Sequence, residues 1–318
     1  VTARLDFEEP LVELRRKIAE VEKKLAAHPD ERLHLELAEL RRDLEERQRQ
    51  IYRALTPWQK LQVARHPDRP YTLDYVKYIF TDFVELHGDR SFADDPAIVG
   101  GPARLEGRPV MVLGHQKGRD TKEKVRRNFG MAHPEGFRKA QRLMRQAEKF
   151  GLPVISFVDT PAASPTLQDE ERGQAWAIAE SLLTMASLRV PVLVAVIGEG
   201  GSGGALALGV GDRILMLEHA VYSVASPEAA AAIVWKDHSF APRAAEALKI
   251  TAQDLLALGV IDRIVPEPPG GAHCNPALAA EYLKAALLEE LAALSGTPGE
   301  ALVEQRYQKF RRIGYVIE

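Results

Sequence analysis

The chain has 318 residues, 46% of them hydrophobic and 27% charged, with a formal net charge of −3. That balance fits a soluble globular protein of one large or two smaller domains and excludes a globally basic nucleic-acid binder. No apolar stretch reaches the length of a membrane span, and Cys274, the one cysteine, excludes an intrachain disulfide and a cysteine-based zinc site. With an acidic, polar N-terminus in place of a signal peptide, these features point to the cytoplasm.

Residues 11–55 predict two helices. Leu11, Leu14, Ile18, Val21 and Leu25 keep an a/d spacing, and Leu33, Leu37, Leu40, Leu44, Ile51 and Leu55 continue a helical stripe. His28-Pro29-Asp30 interrupts them, with Asp30 the expected N-cap of the second helix. From about residue 98 the pattern changes to strands alternating with helices. Residues 103–105 and 109–114 flank Gly107 as a β-hairpin, 134–150 predict an amphipathic helix, and 153–158 a short buried strand. A helix is expected over 171–187, a strand over 190–197, a helix from Gly204, and strands over 213–217 and 220–224. Residues 267–271 read as a loop before a final helical region, 276–294. Such units imply right-handed βαβ connections, with functional loops at the carboxyl ends of the strands. The loops after Val158 and Ile197 both stand there.

The second loop is the most informative stretch. Gly198, Gly200, Gly201, Gly203 and Gly204 follow a buried strand and lead into a helix, placing backbone N–H groups where they can stabilise an anion. The spacing is neither G-x-G-x-x-G nor a Walker loop. Three readings stand: tight helix–strand packing, a phosphate cradle, or an oxyanion hole. Gly200-Gly201-Ser202-Gly203-Gly204 also matches G-x-S-x-G, so a serine hydrolase is a further alternative. The turn at Asp159-Thr160-Pro161-Ala162-Ala163-Ser164-Pro165 could face it with more N–H donors, as in enolate-stabilising sites, where each donor contributes roughly 3–4 kcal/mol.

Lys117, Arg119, Lys122, Lys124, Arg126 and Arg127 form either a solvated basic face or an anion site for a carboxylate or coenzyme phosphates. Arg119 is favoured for a carboxylate because a guanidinium binds it through two parallel hydrogen bonds. Glu170, Glu171 and Arg172 read as the start of a helix whose dipole the acids complement. The nine histidines are scattered without H-x-x-x-H or H-E-x-x-H spacing, so no metal is expected, and His115 reads as structural.

Leu5-Asp6-Phe7-Glu8, residues 64–75, Gly114-His115-Gln116-Lys117-Gly118-Arg119, Arg126-Arg127-Asn128-Phe129-Gly130-Met131, Glu170-Glu171-Arg172-Gly173-Gln174 and the glycine loop together resemble the carboxyltransferase alpha-subunit family of bacterial acetyl-CoA carboxylases. The similarity runs from about residue 5 to Tyr315 and includes Gly270-Gly271-Ala272-His273 and Arg306-Tyr307. The resemblance implies an α/β, crotonase-like ββα-superhelix: an N-terminal helical region over 1–75, with its hairpin, and a carboxyltransferase domain over 76–318. It implies carboxyl transfer from carboxybiotin, borne on a biotin carboxyl carrier protein, to acetyl-CoA, giving malonyl-CoA in the first committed step of fatty-acid biosynthesis. Expected partners are a zinc-bearing beta subunit in an α₂β₂ heterotetramer and a biotin carboxylase, with ATP binding a property of the whole complex. No metal is expected in this chain. By the resemblance, Gly203 and Gly204 form one oxyanion hole, Ala162 carries another donor, and Arg119 binds the carboxyl group. Gly200, Gly201, Ala163 and Lys117 line the carboxybiotin side.

The chain departs from the family pattern in the first loop. Thr-Pro-Gly-Ala-Tyr-Pro-Gly, with a further glycine soon after, becomes a stretch with Ala162, Ser164, Thr166 and Gln168, and a glycine after Ser226-Pro227-Glu228 becomes Ala229. Were position 162 at φ > 0, its Cβ would cost roughly 1–2 kcal/mol. Serine at 164 is expected to remove a pocket wall. Two alternatives follow, a weakened or non-catalytic scaffold subunit and a carboxyltransferase for another acyl-CoA.

Overall fold

The computed structural model describes residues 5–314, so Tyr315 lies outside the described residues. Helices α1 (Glu9–Ala27) and α2 (Glu31–Arg53) form the expected hairpin, and Asp30 caps α2 by accepting from Arg32 N–H at 2.9 Å. Ile18, Val21 and Leu37 bury its narrow seam in a small apolar cluster of its own. Two short helices, α3 (Pro57–Ala64) and α4 (Thr72–Ile79), carry the chain onto the main body, α3 opened by a capping box between Thr56 and Gln59.

Strands β1 (Ile98–Leu105) and β2 (Arg108–His115) pair antiparallel around Glu106 and Gly107. Both turn residues have positive φ, 48° and 76°, the backbone that a two-residue hairpin requires. There follow α5 (Thr121–Arg126), α6 (Pro134–Lys149), β3 (Val154–Thr160), α7 (Leu167–Glu171), α8 (Gln174–Ser187), β4 (Val192–Gly201) and α9 (Ser202–Leu206). The remainder is β5 (Arg213–Leu217), β6 (Val221–Ser223), α10 (Pro227–Trp235), α11 (Ala241–Ala247), α12 (Ala252–Ala257), β7 (Arg263–Val265), α13 (Pro276–Ala293) and α14 (Gly299–Arg311). The sheet runs β1-β2-β3-β4-β5-β7, parallel from β2 onward, while the far end of β4 pairs with β6 instead. Every residue of β3 and β4 is buried, as in a parallel sheet covered on both faces.

Two expectations change. The helix expected over 171–187 is two helices, because Gly173 takes a left-handed φ of 82° between α7 and α8. Asp169 and Glu170 therefore occupy the first turn of α7, and Glu171 ends it. The second change is larger: Gly198, Gly200 and Gly201 lie within β4, held by Thr160 on one side and β6 on the other. An apolar run is recognised by its side chains, so residues without any read as loop even where the ladder continues. Helix α14, beyond the last predicted helix, is pinned by Arg306. Its buried guanidinium holds both oxygens of Asp212 and the carbonyls of Met185, Leu188 and Val190, closing the C-terminal end of α8.

Candidate active site

Strands β3 and β4 stay in register from Val154 beside Val192 to Val158 beside Val196, then shift so that Thr160 meets Gly200. Asp159 fills the irregularity. Its buried Oδ1 accepts from Glu199 N–H at 3.0 Å and from Lys117 Nζ at 2.7 Å. A Cβ on Gly198 would fall inside that carboxylate, one on Gly201 inside the Pro161 carbonyl, and one on Gly204 2.5 Å from the Ala162 carbonyl carbon. None of these glycines has a positive φ. They are required because another backbone or a carboxylate occupies the space a side chain would take.

The two turns are thereby pressed together, backbone to backbone. Gly203 and Gly204 stand in the first turn of α9, where N–H groups lack intrahelical acceptors, and Gly204 packs on Ala162 and Ala163. Ala162 N–H reaches Thr160 Oγ1 at 3.3 Å, and Ala163 N–H makes no hydrogen bond among the described residues. Gly200 and Gly201 lie behind them in β4. His115 is fully buried close to the backbone of Gly204 and Phe157. Burial pushes its imidazole down to about 3, which keeps it neutral.

Lys117 lies in a cleft of about 160 Å³ that Arg65, His66, Tyr71, Lys124 and Phe129 also line. Burial opposes its charge, but Asp159 and Glu199 outweigh burial and raise its pKa, so the ammonium stays charged. Glu199 is gripped by Arg65 through two hydrogen bonds, 2.6 and 3.0 Å, and Arg65 extends to Glu228 on α10. Arg69, also buried, binds Ile197 O at 2.8 Å and both oxygens of Glu267. The segment after α3 is thus tied directly to the end of β4. Arg119 stacks 3.9 Å over Tyr71, donates to the carbonyls of Pro67 and Arg69, and pairs with Asp74. A substrate carboxylate at Arg119 would have to replace Asp74. Lys122, Lys124 and Arg126 form no ion pair among the described residues.

The first loop is rebuilt around Asp169. This buried carboxylate accepts from the Ser164 hydroxyl at 2.5 Å, Thr166 Oγ1 at 2.6 Å and Arg172 at 2.7 Å, and contacts His133 Nδ1 at 2.7 Å. Ser164 is therefore a buried anchor, 1% exposed, and not a vacant pocket wall. Ala162 is not among the positive-φ residues, so its Cβ carries no left-handed strain. Ala229 sits exposed in the first turn of α10, its N–H donating to Ser226 Oγ at 3.1 Å, where a Cβ is accommodated without cost.

Beside Gly203 opens an apolar cavity of about 390 Å³, bounded by Ser202, Leu206, Tyr222, Val224, Leu248 and Leu255 among others. No histidine or acid lines it, and the Ser202 hydroxyl makes no hydrogen bond among the described residues, so a serine hydrolase lacks its base here. No cluster of three or more His, Cys, Asp or Glu that could hold a metal occurs among the described residues. The sequence reading missed Asp159, Glu199, Arg65 and Asp169. For the first two a signal existed, an acid closing each buried apolar run, since a carboxylate at such a place needs a partner.

A family model described as acetyl co-enzyme A carboxylase carboxyltransferase-like matches residues 4–314. The acetyl-coenzyme A carboxylase carboxyl transferase subunit alpha of Geobacillus kaustophilus is 58% identical over 316 residues, 99% of this chain and 97% of that protein. That of Thermus thermophilus is 56% identical over 314 residues, 99% of each. Among solved structures, a Pseudomonas malonate decarboxylase hetero-tetramer in complex with coenzyme A superposes with a TM-score of 0.60 at 19% identity, covering 76% of this chain and 97% of the other. Transcarboxylase 12S gives 0.54 at 20% identity, over 69% of this chain and 42% of the other. At such identities these two establish the fold alone, the crotonase-like α/β arrangement. The chain belongs to the family of acetyl-CoA carboxylase carboxyltransferase alpha subunits.

Proposed function

We propose that this chain transfers the carboxyl group of carboxybiotin, presented on a biotin carboxyl carrier protein, to acetyl-CoA, making malonyl-CoA for fatty-acid biosynthesis in the cytoplasm. The observation that carries the reading is the contact of two turns at the ends of adjacent parallel strands, where Gly204, next to Gly203, packs against the backbone of Ala162 and Ala163. Carboxybiotin supplies the carboxyl group and, through its ureido oxygen, the base. What remains for the protein is to hold developing oxyanions and a carboxylate. Backbone N–H donors at the two turns suit the first task, each worth roughly 3–4 kcal/mol of barrier. Lys117 and Arg119 suit the second: a charged ammonium at the floor of a cleft and a guanidinium that would exchange Asp74 for substrate. The absence of an acid or base from the cavity beside Gly203 accords with this division of labour.

We place a zinc-bearing beta subunit on the outer face of α8, in an α₂β₂ complex that also engages a biotin carboxylase. Trp176 and Leu183 are 72% and 70% exposed there. With Ala179 and Ala186 they make an exposed apolar stripe at helical spacing. The full chain alone is expected to form no malonyl-CoA from acetyl-CoA and a carboxybiotin donor, and addition of the beta subunit is expected to start turnover. Turnover by the chain alone would overturn the shared site.

A further inference from the structure

Residue type and backbone conformation are mismatched in the glycine run. Gly200, Gly201, Gly203 and Gly204 all avoid positive φ, whereas Ser202, between them, sits at 54°. That is a conformation glycine enters freely and a residue with a Cβ does not. A serine at this one position is costlier than the glycine found on either side. Strain of this kind persists where a side chain serves a purpose.

The surroundings of the hydroxyl supply that purpose. Ser202 is exposed and borders the 390 Å³ cavity, whose walls include Leu206, Val224, Leu248 and Leu255. The Ser223 hydroxyl on the same cavity is engaged by Ala225 O at 2.7 Å. The hydroxyl of Ser202, by contrast, has no hydrogen bond among the described residues. A pocket that is apolar apart from a few placed polar groups takes a ligand of matching make-up.

We infer that Ser202 is a substrate-binding residue whose hydroxyl donates to a neutral, amide-like carbonyl on a ligand with an apolar body that fills this cavity. The identity of that ligand rests on the proposed function, in which two reactants carry such a carbonyl: the ureido ring of biotin and the amide-bearing arm of coenzyme A. Ser202 and Gly203 border the same cavity, so a ligand seated there meets the hydroxyl and the Gly203 backbone together.

Ser202→Ala keeps the strain and deletes the hydroxyl, whereas Ser202→Gly deletes both. Each variant is assembled with the beta subunit, its melting temperature measured, and biocytin and acetyl-CoA titrated into it calorimetrically. Ser202→Gly is expected to raise Tm, and both variants to weaken binding of one titrant at least about fivefold, equivalent to roughly 1 kcal/mol. Loss confined to biocytin assigns the cavity to the ureido ring, and loss confined to acetyl-CoA assigns it to the coenzyme arm. If neither dissociation constant moves twofold, or if the unaltered complex binds neither titrant, the inference fails. Carboxyl transfer by the unaltered complex is measured in the same preparation. Binding lost on substitution in a complex that transfers nothing would refute the proposed reaction and leave the Ser202 site standing.

Discussion

Gly203 and Gly204 are adjacent, and a backbone N–H survives alanine substitution at either, yet the two replacements are expected to differ by two orders of magnitude. A Cβ at 204 would fall 2.5 Å from the Ala162 carbonyl carbon and closer still to Ala163 N, both main-chain atoms that cannot rotate away. Restoring a contact of 3.4 Å to Ala163 N, which the Cβ would approach to 2.4 Å, separates the two turns by about 1.0 Å. Misplacement on the order of 1 Å costs about 100-fold in rate, or roughly 2.7 kcal/mol of barrier. A Cβ at 203 meets only Ile178, at 3.5 Å, an ordinary van der Waals distance. Gly203→Ala should therefore keep kcat within about twofold, as a substitution worth less than roughly 0.5 kcal/mol does. The assay is steady-state malonyl-CoA formation by the complex reconstituted with each variant, alongside its melting temperature. Equal loss in the two variants, or an unchanged kcat in Gly204→Ala, would refute the idea that contact between the turns sets the donor geometry.

Three further outcomes follow from the same geometry. Burial alone would raise the Glu267 carboxyl, but Arg69 outweighs it and holds the group at about 2, below its ordinary 4.5. Its contribution is therefore complete above about pH 4.5 and lost as pH falls through 2. Glu267→Gln should cost about 3–5 kcal/mol at neutral pH by leaving Arg69 unpaired, and should flatten the acid limb of a Tm-against-pH curve; an unchanged limb would refute it. Ala162→Gly is expected to leave kcat unchanged and lower stability by roughly 0.5–1 kcal/mol in urea denaturation, since no left-handed strain exists to relieve; a rise in kcat would count against this backbone. Arg119→Lys should lower kcat/KM at least about tenfold, and Asp74→Asn should leave it equal or higher. A drop in Tm with kcat/KM intact in Arg119→Lys would confine Arg119 to bracing residues 67–74.

Much was legible in the sequence because local rules govern it. The a/d spacing of Leu11, Leu14, Ile18 and Val21 and the Asp30 cap predict the hairpin, and the apolar runs predict β3 and the first half of β4. The motifs around Lys117, Asn128, Arg172 and the glycine run are enough to identify the family from sequence. The tertiary structure alone decided why the glycines are there. Spacing suggests unusual backbone angles, but their reason is the nearness of Asp159, Pro161 and Ala162, residues some forty positions away in the chain. It also decided two points in the first loop. Ser164 is a buried anchor on Asp169, which Thr166, His133 and Arg172 also hold, and Ala162, whose Cβ would be strained only at positive φ, avoids the left-handed region. Periodicity and capping act over one or two turns of chain and can be read in order. Close approach and charge pairing depend on which distant segments the sheet brings side by side, and those meet only once the chain has folded.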